Sequence, residues 1–520
     1  MNTQKTQTVF HGNNIELLKS YADNSIDSIV TDPPYGLGKE PNPTEMLDAW
    51  LKHGYLEVKG GGFMNAEWDS FVPQPIFWKE AFRVLKHGGY VVSFFGTRTY
   101  DWGVMAMRLA GFEIRDQLQW IYGSGFPKSM DIGKQIDKIQ GNERKVVGVS
   151  PNQHDFTNNT SSMMNKSNQK NPKRQSLELP ITEGNSEWEG WGTALKPANE
   201  PIVLARKPNE KGLNITENVL KYGTGGINLK ATRIGSEMLP EQVAGKGFNK
   251  VKGFGNNTAL SDDSKDVSTP TREGRFPSNV IFTHHNECLE TLTRKEDNTI
   301  ESNYTCHECC PVKVLDEQSG TLVSGTMTSE HKRHTDGSPN GIYGKFDVNH
   351  QLNNFEGSVG GASRFFYVAK ASQVERNFGL ENFESKSAGS LNFRNPSASG
   401  RSEDADSVEK MGGLTQARSN FHPTVKPVKL MQYLVRLVTP PNGVCLDPFS
   451  GSGTTGVACK IDGFNYIGME QSSEFCEISQ QRIDTFIEEK VFINECKIFS
   501  SKKDEDLNQM SIFDIISEGL

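Results

Sequence analysis

Residues 443–470 read GVCLDPFSGSGTTGVACKIDGFNYIGME. GVCLDPF is a short apolar run closed by Asp447 and Pro448, the pattern of a buried strand. Three glycines, Gly451, Gly453 and Gly456, fill the turn that follows, and GTTGVACKIDG opens a helix. NYIGME is a second strand, ending on Glu470. Strand, tight turn, helix and strand in succession make one parallel crossover, which predicts an α/β fold with helices on both faces of the sheet.

The same alternation recurs elsewhere in the chain. SIDSIVTD, YVVSFFG, IRDQLQWIY and NEPIVLARKP are strand patterns, while DWGVMAMRLAGF and KPVKLMQYLVRLV carry apolar residues at helical spacing. FWKEAFRVLKHGG is a further helix whose two closing glycines suit a C-cap. Residues 1–149 and 421–490 are therefore expected to be two halves of one domain, with a return to it at 191–235. Between them lie a flexible insertion at 150–190, rich in Asn, Ser and Lys, and an irregular glycine- and serine-rich region at 236–420. An acidic tail closes the chain at 491–520.

The chain has 520 residues, 35% of them apolar and 23% charged, and the 50 glycines bring it to a globular balance. No apolar run approaches the ~18 residues of a membrane span, and no basic-then-apolar leader opens the chain. A soluble, cytoplasmic protein is expected. Eight cysteines, four of them clustered, imply no disulfide framework. The net charge of −8 is uneven: residues 196–233 hold seven Lys or Arg against three Glu, while residues 484–520 hold nine acids against four Lys. A basic middle permits a polyanionic partner that the total charge alone would exclude.

Gly451, Gly453 and Gly456 fit G-x-G-x-x-G between a strand and a helix, the setting of a nucleotide-binding turn. No Lys-Ser or Lys-Thr follows, so a P-loop is excluded. A pyrophosphate wants helix N–H groups and no anion beside them. Asp447 puts a carboxylate at the lip of the loop, where an ammonium or a sulfonium would be welcome, and Glu470 ends the next strand, where an acid can bind both hydroxyls of a ribose. A ribose-bearing, locally cationic ligand points to S-adenosylmethionine rather than to NAD, although the glycines alone leave a nicotinamide dehydrogenase open.

The strand SIVT runs into Asp32-Pro33-Pro34-Tyr35. An exocyclic amino group on a nucleobase is a poor nucleophile because its lone pair is delocalised into the ring. Hydrogen bonds from its two N–H groups to the Asp32 carboxylate and the Pro33 carbonyl would make it reactive beside a methyl donor. The prolines hold that carbonyl out of the ladder, and Tyr35 offers a face for stacking a base flipped out of a duplex.

DPPY at 32–35, HPTVKP at 422–427, DPFSGSGTTG at 447–456 and the acid of IGME at 470 together resemble the amino-type DNA methyltransferases of the beta arrangement. In these the catalytic motif precedes the cofactor motif. The resemblance covers residues 8–145, 190–235 and 420–485. It implies a Rossmann-like, seven-stranded, mostly parallel sheet with circularly permuted motif order, and makes 236–420 an inserted target-recognition region. It also implies double-stranded DNA as substrate, bacterial or phage origin, and His422, Thr424 and Lys426 near the methionine end of the cofactor. Pro448, Phe449 and the glycines would line the cofactor loop, with Glu470 on the ribose. Asn13 and Asn14 stand where the family usually has an aspartate near the cofactor adenine. The aspartate of DPPY favours N6 of adenine over N4 of cytosine as target. A homodimer is compatible with the resemblance.

Four further features carry expectations. Trp120, Tyr122 and Phe126, with Lys128, follow a strand and are candidates for the rim of the base pocket. Lys221, Tyr222 and Arg233, around a glycine-rich loop, mix cations and an aromatic as a DNA-contacting segment would. Cys288, Cys306, Cys309 and Cys310, with His284 or His285 upstream, have the residue types of a structural zinc site. Gln509 to Phe513, QMSIF, resembles the pentapeptide that docks into the bacterial sliding clamp.

Overall fold

The structure, a computed structural model, describes residues 6–58, 69–123, 125, 129–149, 180–240, 271–285, 288–294, 300–323, 358–370, 373–381, 383, 419–422 and 424–486. Phe126, Lys128 and Gln509 to Phe513 lie outside them. None of the helices among these residues is long and apolar enough to cross a membrane.

Among the described residues the principal sheet has nine strands: β1 (Gln7–His11), β2 (Ile26–Thr31), β3 (Leu85–Phe94), β4 (Glu113–Ile121), β5 (Asn199–Arg206), β6 (Val280–His284), β7 (Tyr367–Lys370), β8 (Val444–Asp447) and β9 (Asn465–Glu470). Their spatial order is β1-β9-β8-β2-β3-β5-β4-β6-β7. Every neighbouring pair is parallel except those made by β5, which runs antiparallel to both β3 and β4. The α/β architecture agrees with the crossover read in residues 443–470. Seven strands were expected, and β6 and β7 raise the count to nine. Both come from the region 236–420 and extend the sheet beyond β4. They were legible only as the short apolar runs NVIFTHH and SRFFYVAK, and they qualify as strands because Ile281 and Ala369 are buried in the same core as the central strands.

Burial on both faces explains the near-continuous apolar character of β3. Tyr90, Val92 and Phe94 face one core, shared with Leu430, Leu434 and Val435 of the helix Val428–Val438. Val91, followed by Phe95, faces the other, with Trp78 of the helix Pro75–Val84 and Met107 of the helix Tyr100–Ala110. Each such side chain contributes ~1.5–3 kcal/mol by leaving water.

The expected glycine C-cap after FWKEAFRVLK does not form. The helix ends at Val84 and the chain enters β3 at once, with Gly88 and Gly89 inside the strand. The terminal carbonyls are satisfied instead by Lys207, whose Nζ donates to those of Phe82 and Leu85 at 2.8 and 2.7 Å, and by the Asn24 and Ser25 amides, which donate to those of Arg83 and Val84 at 3.1 and 2.8 Å.

Residues 124–198 form a separate compact unit from the rest of the chain. It holds the helix Ile132–Gln140 and the antiparallel strands Lys145–Val149 and Pro180–Glu183. Arg144 ties it together, donating to Asp137 at 2.5 Å and to Glu189 at 2.6 Å.

Candidate active site

β8 and β2 are direct neighbours, with Cys445 opposite Ser28 and Leu446 opposite Ile29. The glycine turn and the Asp-Pro-Pro-Tyr segment therefore leave the sheet side by side at the carboxyl ends of parallel strands, the edge where such folds hold ligands. A hydrogen bond joins them: Thr31 Oγ1 donates to Asp447 Oδ1 at 2.6 Å.

That bond alters the role of Asp447. Its carboxylate is buried and also accepts the Phe449 amide at 3.2 Å. It braces the loop from below and is not an open lip facing a cation. Burial pushes its carboxyl up to about 6, with the bonds from Thr31, Thr455 and the Phe449 amide pulling the other way.

Above this brace, Gly451 and Gly453 adopt φ of +52° and +77°, which L side chains rarely take. A Cβ on Gly451 would sit 2.9 Å from His422 Nε2, and one on Gly453 would sit 2.5 Å from Ser479 Oγ. Glu470 accepts the Gly451 amide on one oxygen and the Ser472 amide on the other, both at 2.9 Å. The Gln471 amide bonds to this carboxylate as well, and the group keeps acceptor capacity for a further donor. Burial raises the Glu470 carboxyl above its ordinary value. Asn14 Nδ2 donates to the Pro448 carbonyl at 3.1 Å, which places it on the loop; Asn13 instead caps the helix Asn14–Lys19. Phe449 packs against Phe77 with centroids 5.0 Å apart.

His422 lies over the loop, its carbonyl accepting Arg376 at 2.6 Å. Burial, with Lys426, Arg376 and Arg482 nearby, drives its imidazole down to about 3, so the ring is neutral. Thr424 is exposed and its amide donates to His422 Nδ1 at 3.4 Å.

Lys426 is not on the glycine loop. Its buried Nζ donates to Asp32 Oδ2 at 2.5 Å and lies 3.3 Å from Glu200 Oε2. Packing of the helix Val428–Val438 against the sheet carries it there, beneath aromatic rings: Nζ is 5.4 Å from the Tyr35 centroid, 5.0 Å from Phe94 and 5.9 Å from Trp120. The Tyr35 hydroxyl donates to Asp32 at 2.8 Å and to Glu200 at 2.6 Å, alternatives for its single proton. Asp32, Glu200, Lys426 and Tyr35 thus form one network of two carboxylates around one ammonium. Burial raises the Asp32 carboxyl, opposed by Lys426 and reinforced by Glu200. The two carboxylates hold Lys426 charged against the effect of burial.

The main chain here is fixed as firmly as the side chains. β2 ends at Thr31, so the Pro33 carbonyl stands outside the ladder. Thr99 Oγ1 donates to the Tyr35 carbonyl at 2.5 Å, and Asp69 accepts the Gly36 amide at 2.9 Å.

Glu200, Thr99 and Asp69 were missed in the sequence. Glu200 had a signal in hindsight, an acid preceding Pro201 at the start of a strand, but its relevance depends on β5 being antiparallel. Among the rim candidates, Tyr122 is half-buried with its ring 5.0 Å from Trp120, and burial together with Glu200 raises its hydroxyl. Lys221 and Tyr222 do not belong to this site. They engage Glu210, and Tyr222 packs on His87, near the start of β3 at the opposite edge of the sheet. Arg233 donates to the Gly274 carbonyl and so braces the antiparallel pairing of the strands Ile234–Pro240 and Thr271–Arg275. The cysteine group is revised as well: His284, Cys288, Cys306 and Cys310 converge, whereas Cys309 is exposed outside the cluster.

The family model described as DNA methylase, N6_N4_Mtase, matches residues 26–481, and the chain belongs to this family. A type II methyltransferase of Moraxella bovis, M2.MboI, is 49% identical over 70 residues, 14% of this chain and 26% of that protein. The type II methyltransferase M.HindIII of Haemophilus influenzae is 24% identical over 246 residues, 42% of this chain and 64% of that protein. The DNA adenine methyltransferase YhdJ of Escherichia coli is 38% identical over 63 residues, 12% of this chain and 21% of that protein. Each of these matches spans less than two thirds of the relative's own length.

Proposed function

We propose that this protein transfers a methyl group from S-adenosylmethionine to the 6-amino group of adenine in double-stranded DNA, after flipping the base out of the helix. The observation that carries the reading is the Thr31–Asp447 hydrogen bond, which locks the Asp32 turn beside the glycine loop. Family membership supports methyl transfer over the nicotinamide alternative.

The residues present fit the cofactor. The positive-φ glycines leave room against His422, the neutral His422 ring adds no charge to repel a sulfonium, and Glu470 has acceptor capacity left for a ribose hydroxyl. When bound, the cofactor supplies an electrophilic methyl on a cationic sulfur. At the acceptor side, Asp32 and the Pro33 carbonyl accept the two amino hydrogens, so that the lone pair is directed at the methyl carbon. As the N–C bond forms and the methyl–sulfur bond breaks, its electron pair staying on sulfur as a neutral thioether, the acceptor nitrogen gains positive charge. The network around it has one more carboxylate than ammonium, and this excess stabilises the developing charge. The surplus proton on the nitrogen then leaves by way of Asp32 to water, while Lys426 holds Asp32 in place.

Aspartate at the first motif position and the adenine-specific name of one relative support adenine; cytosine N4 is the alternative. Digestion of methylated duplex DNA to nucleosides decides, with N6-methyladenosine expected and N4-methylcytosine refuting the choice of base. QMSIF at 509–513 is proposed to bind a sliding clamp, and deletion of residues 507–520 without loss of clamp binding would refute that.

A further inference from the structure

Three buried cysteine and histidine positions and one half-buried cysteine meet where nothing in the methyl-transfer chemistry needs them. His284 closes β6, Cys288 follows it, Cys306 follows the strand Ile300–Thr305, and Cys310 caps the helix Pro311–Ser319. One ligand atom from each lies within 4.8 Å of every other. His284 Nδ1 is 3.4 Å from Cys306 Sγ and 3.5 Å from Cys310 Sγ. With Zn–S of about 2.3 Å and Zn–N of about 2.0–2.1 Å, the N···S edge of a tetrahedral zinc site is about 3.5 Å.

We infer that His284 Nδ1 and the thiolates of Cys288, Cys306 and Cys310 hold a structural zinc ion. The surroundings suit one. The Tyr304 ring stacks on His284 at 3.9 Å and fixes its plane, and the His307 amide donates to Cys288 Sγ at 3.4 Å, the kind of outer bond that supports a thiolate ligand. Phe282, Tyr304 and Val368 pack against this cluster, whose fully buried members among the described residues are Cys288, Cys310 and Val312, a small apolar core for a metal to reinforce. Four closed protein ligands leave no position for substrate, which makes the ion structural and not catalytic.

Its place in the fold gives the ion a task. β6 pairs with β4 with Ile281 opposite Trp120, and Trp120 Nε1 donates to Thr283 Oγ1 at 2.5 Å, one residue before the ligand His284. Pro311, one residue after the ligand Cys310, packs against Gly123, leaving 3.1 Å to a Cβ built there. The zinc therefore clamps the inserted region onto β4, the strand that carries Trp120 and leads into Tyr122, both of which border the Asp32 network.

The full-length protein, purified without chelator, is expected to contain about one zinc per chain by elemental mass spectrometry. Replacement with Co²⁺ should give the visible bands of tetrahedral cobalt together with a thiolate-to-cobalt charge-transfer band. Cys306→Ser and Cys310→Ser should lose the metal, and Cys309→Ser should keep it. A wild-type chain that carries no zinc and gives no thiolate–cobalt band overturns the assignment, as does full zinc retention in soluble Cys306→Ser. So does a disulfide between any two of the three cysteines in protein prepared under reducing conditions. If the serine variants do not fold, the cobalt spectra of the wild type and of Cys309→Ser decide, since neither alters a proposed ligand.

Discussion

Replacing Glu200 by Gln tests whether the excess carboxylate in the Asp32 network stabilises the transition state. Glutamine keeps the shape and an acceptor for the Tyr35 hydroxyl, so the change is one of charge. The Glu200 carboxylate lies 2.6 Å from the Tyr35 hydroxyl, which lies 2.8 Å from Asp32. An amine held by Asp32 is thus roughly 7 Å from Glu200. At an effective dielectric constant of ~20, a full unit charge at that distance is worth about 2 kcal/mol. With half or more of the charge developed in the transition state, the loss is about 1–2 kcal/mol, or about 5- to 30-fold in kcat. Glu200 also raises the Asp32 carboxyl. Asp32 must be ionised to act, so in Glu200→Gln the acidic limb of the kcat–pH profile should move to lower pH. Steady-state methylation of a defined duplex with tritiated cofactor measures both effects, and isothermal titration checks that cofactor affinity is unchanged. A variant that folds, binds cofactor and turns over within twofold of the wild type, with the limb unmoved, would refute the electrostatic role.

Asp32→Ala should lower turnover by at least about 100-fold with S-adenosylmethionine affinity kept within about twofold; activity near wild type would remove Asp32 from the mechanism. Glu470→Ala should weaken cofactor binding by about 10- to 100-fold, measured by titration calorimetry, through loss of a charged acceptor for neutral donors; unchanged affinity would place the ribose elsewhere. Asp447 gives a pH signature in stability. Its carboxyl is raised to about 6 in the folded protein from an ordinary value near 3.8, so the folded state loses stability as pH rises between those values, by about 3 kcal/mol in full. Asp447→Asn lacks this term while keeping an acceptor for Thr31, so its melting temperature relative to the wild type should rise between about pH 4 and about pH 6 and level off above that. A difference independent of pH would refute the buried charge.

Local sequence carried most of the architecture. The short apolar runs and helical patterns around residues 26–121 and 428–470 reflect burial against a sheet with both faces covered, and burial is a property each residue advertises by its type. The two motif turns were legible for a related reason. Proline and glycine restrict or free the backbone in ways no other residue does, so DPPY and DPFSGSGTTG announce their geometry without reference to the rest of the chain. Elsewhere the patterns were weak: β6 and β7 are five and four residues long, too short for periodicity to separate them from loop.

Charge partners are a different matter, because electrostatic networks depend on distances between segments far apart in sequence. Lys426, assigned by motif position to the cofactor, is bonded to Asp32, which lies 394 residues away. Glu200 reaches the same network because β5 alone runs antiparallel, which brings the start of that strand to the edge where the parallel strands end. Lys221 and Tyr222, with a composition suited to DNA, fall at the other edge because they follow the end of that same strand. Composition and spacing thus determined that this chain forms a two-faced α/β sheet with a glycine turn and an Asp-Pro-Pro-Tyr turn. The direction of one strand, fixed only when the sheet assembles, decided which charges surround Asp32.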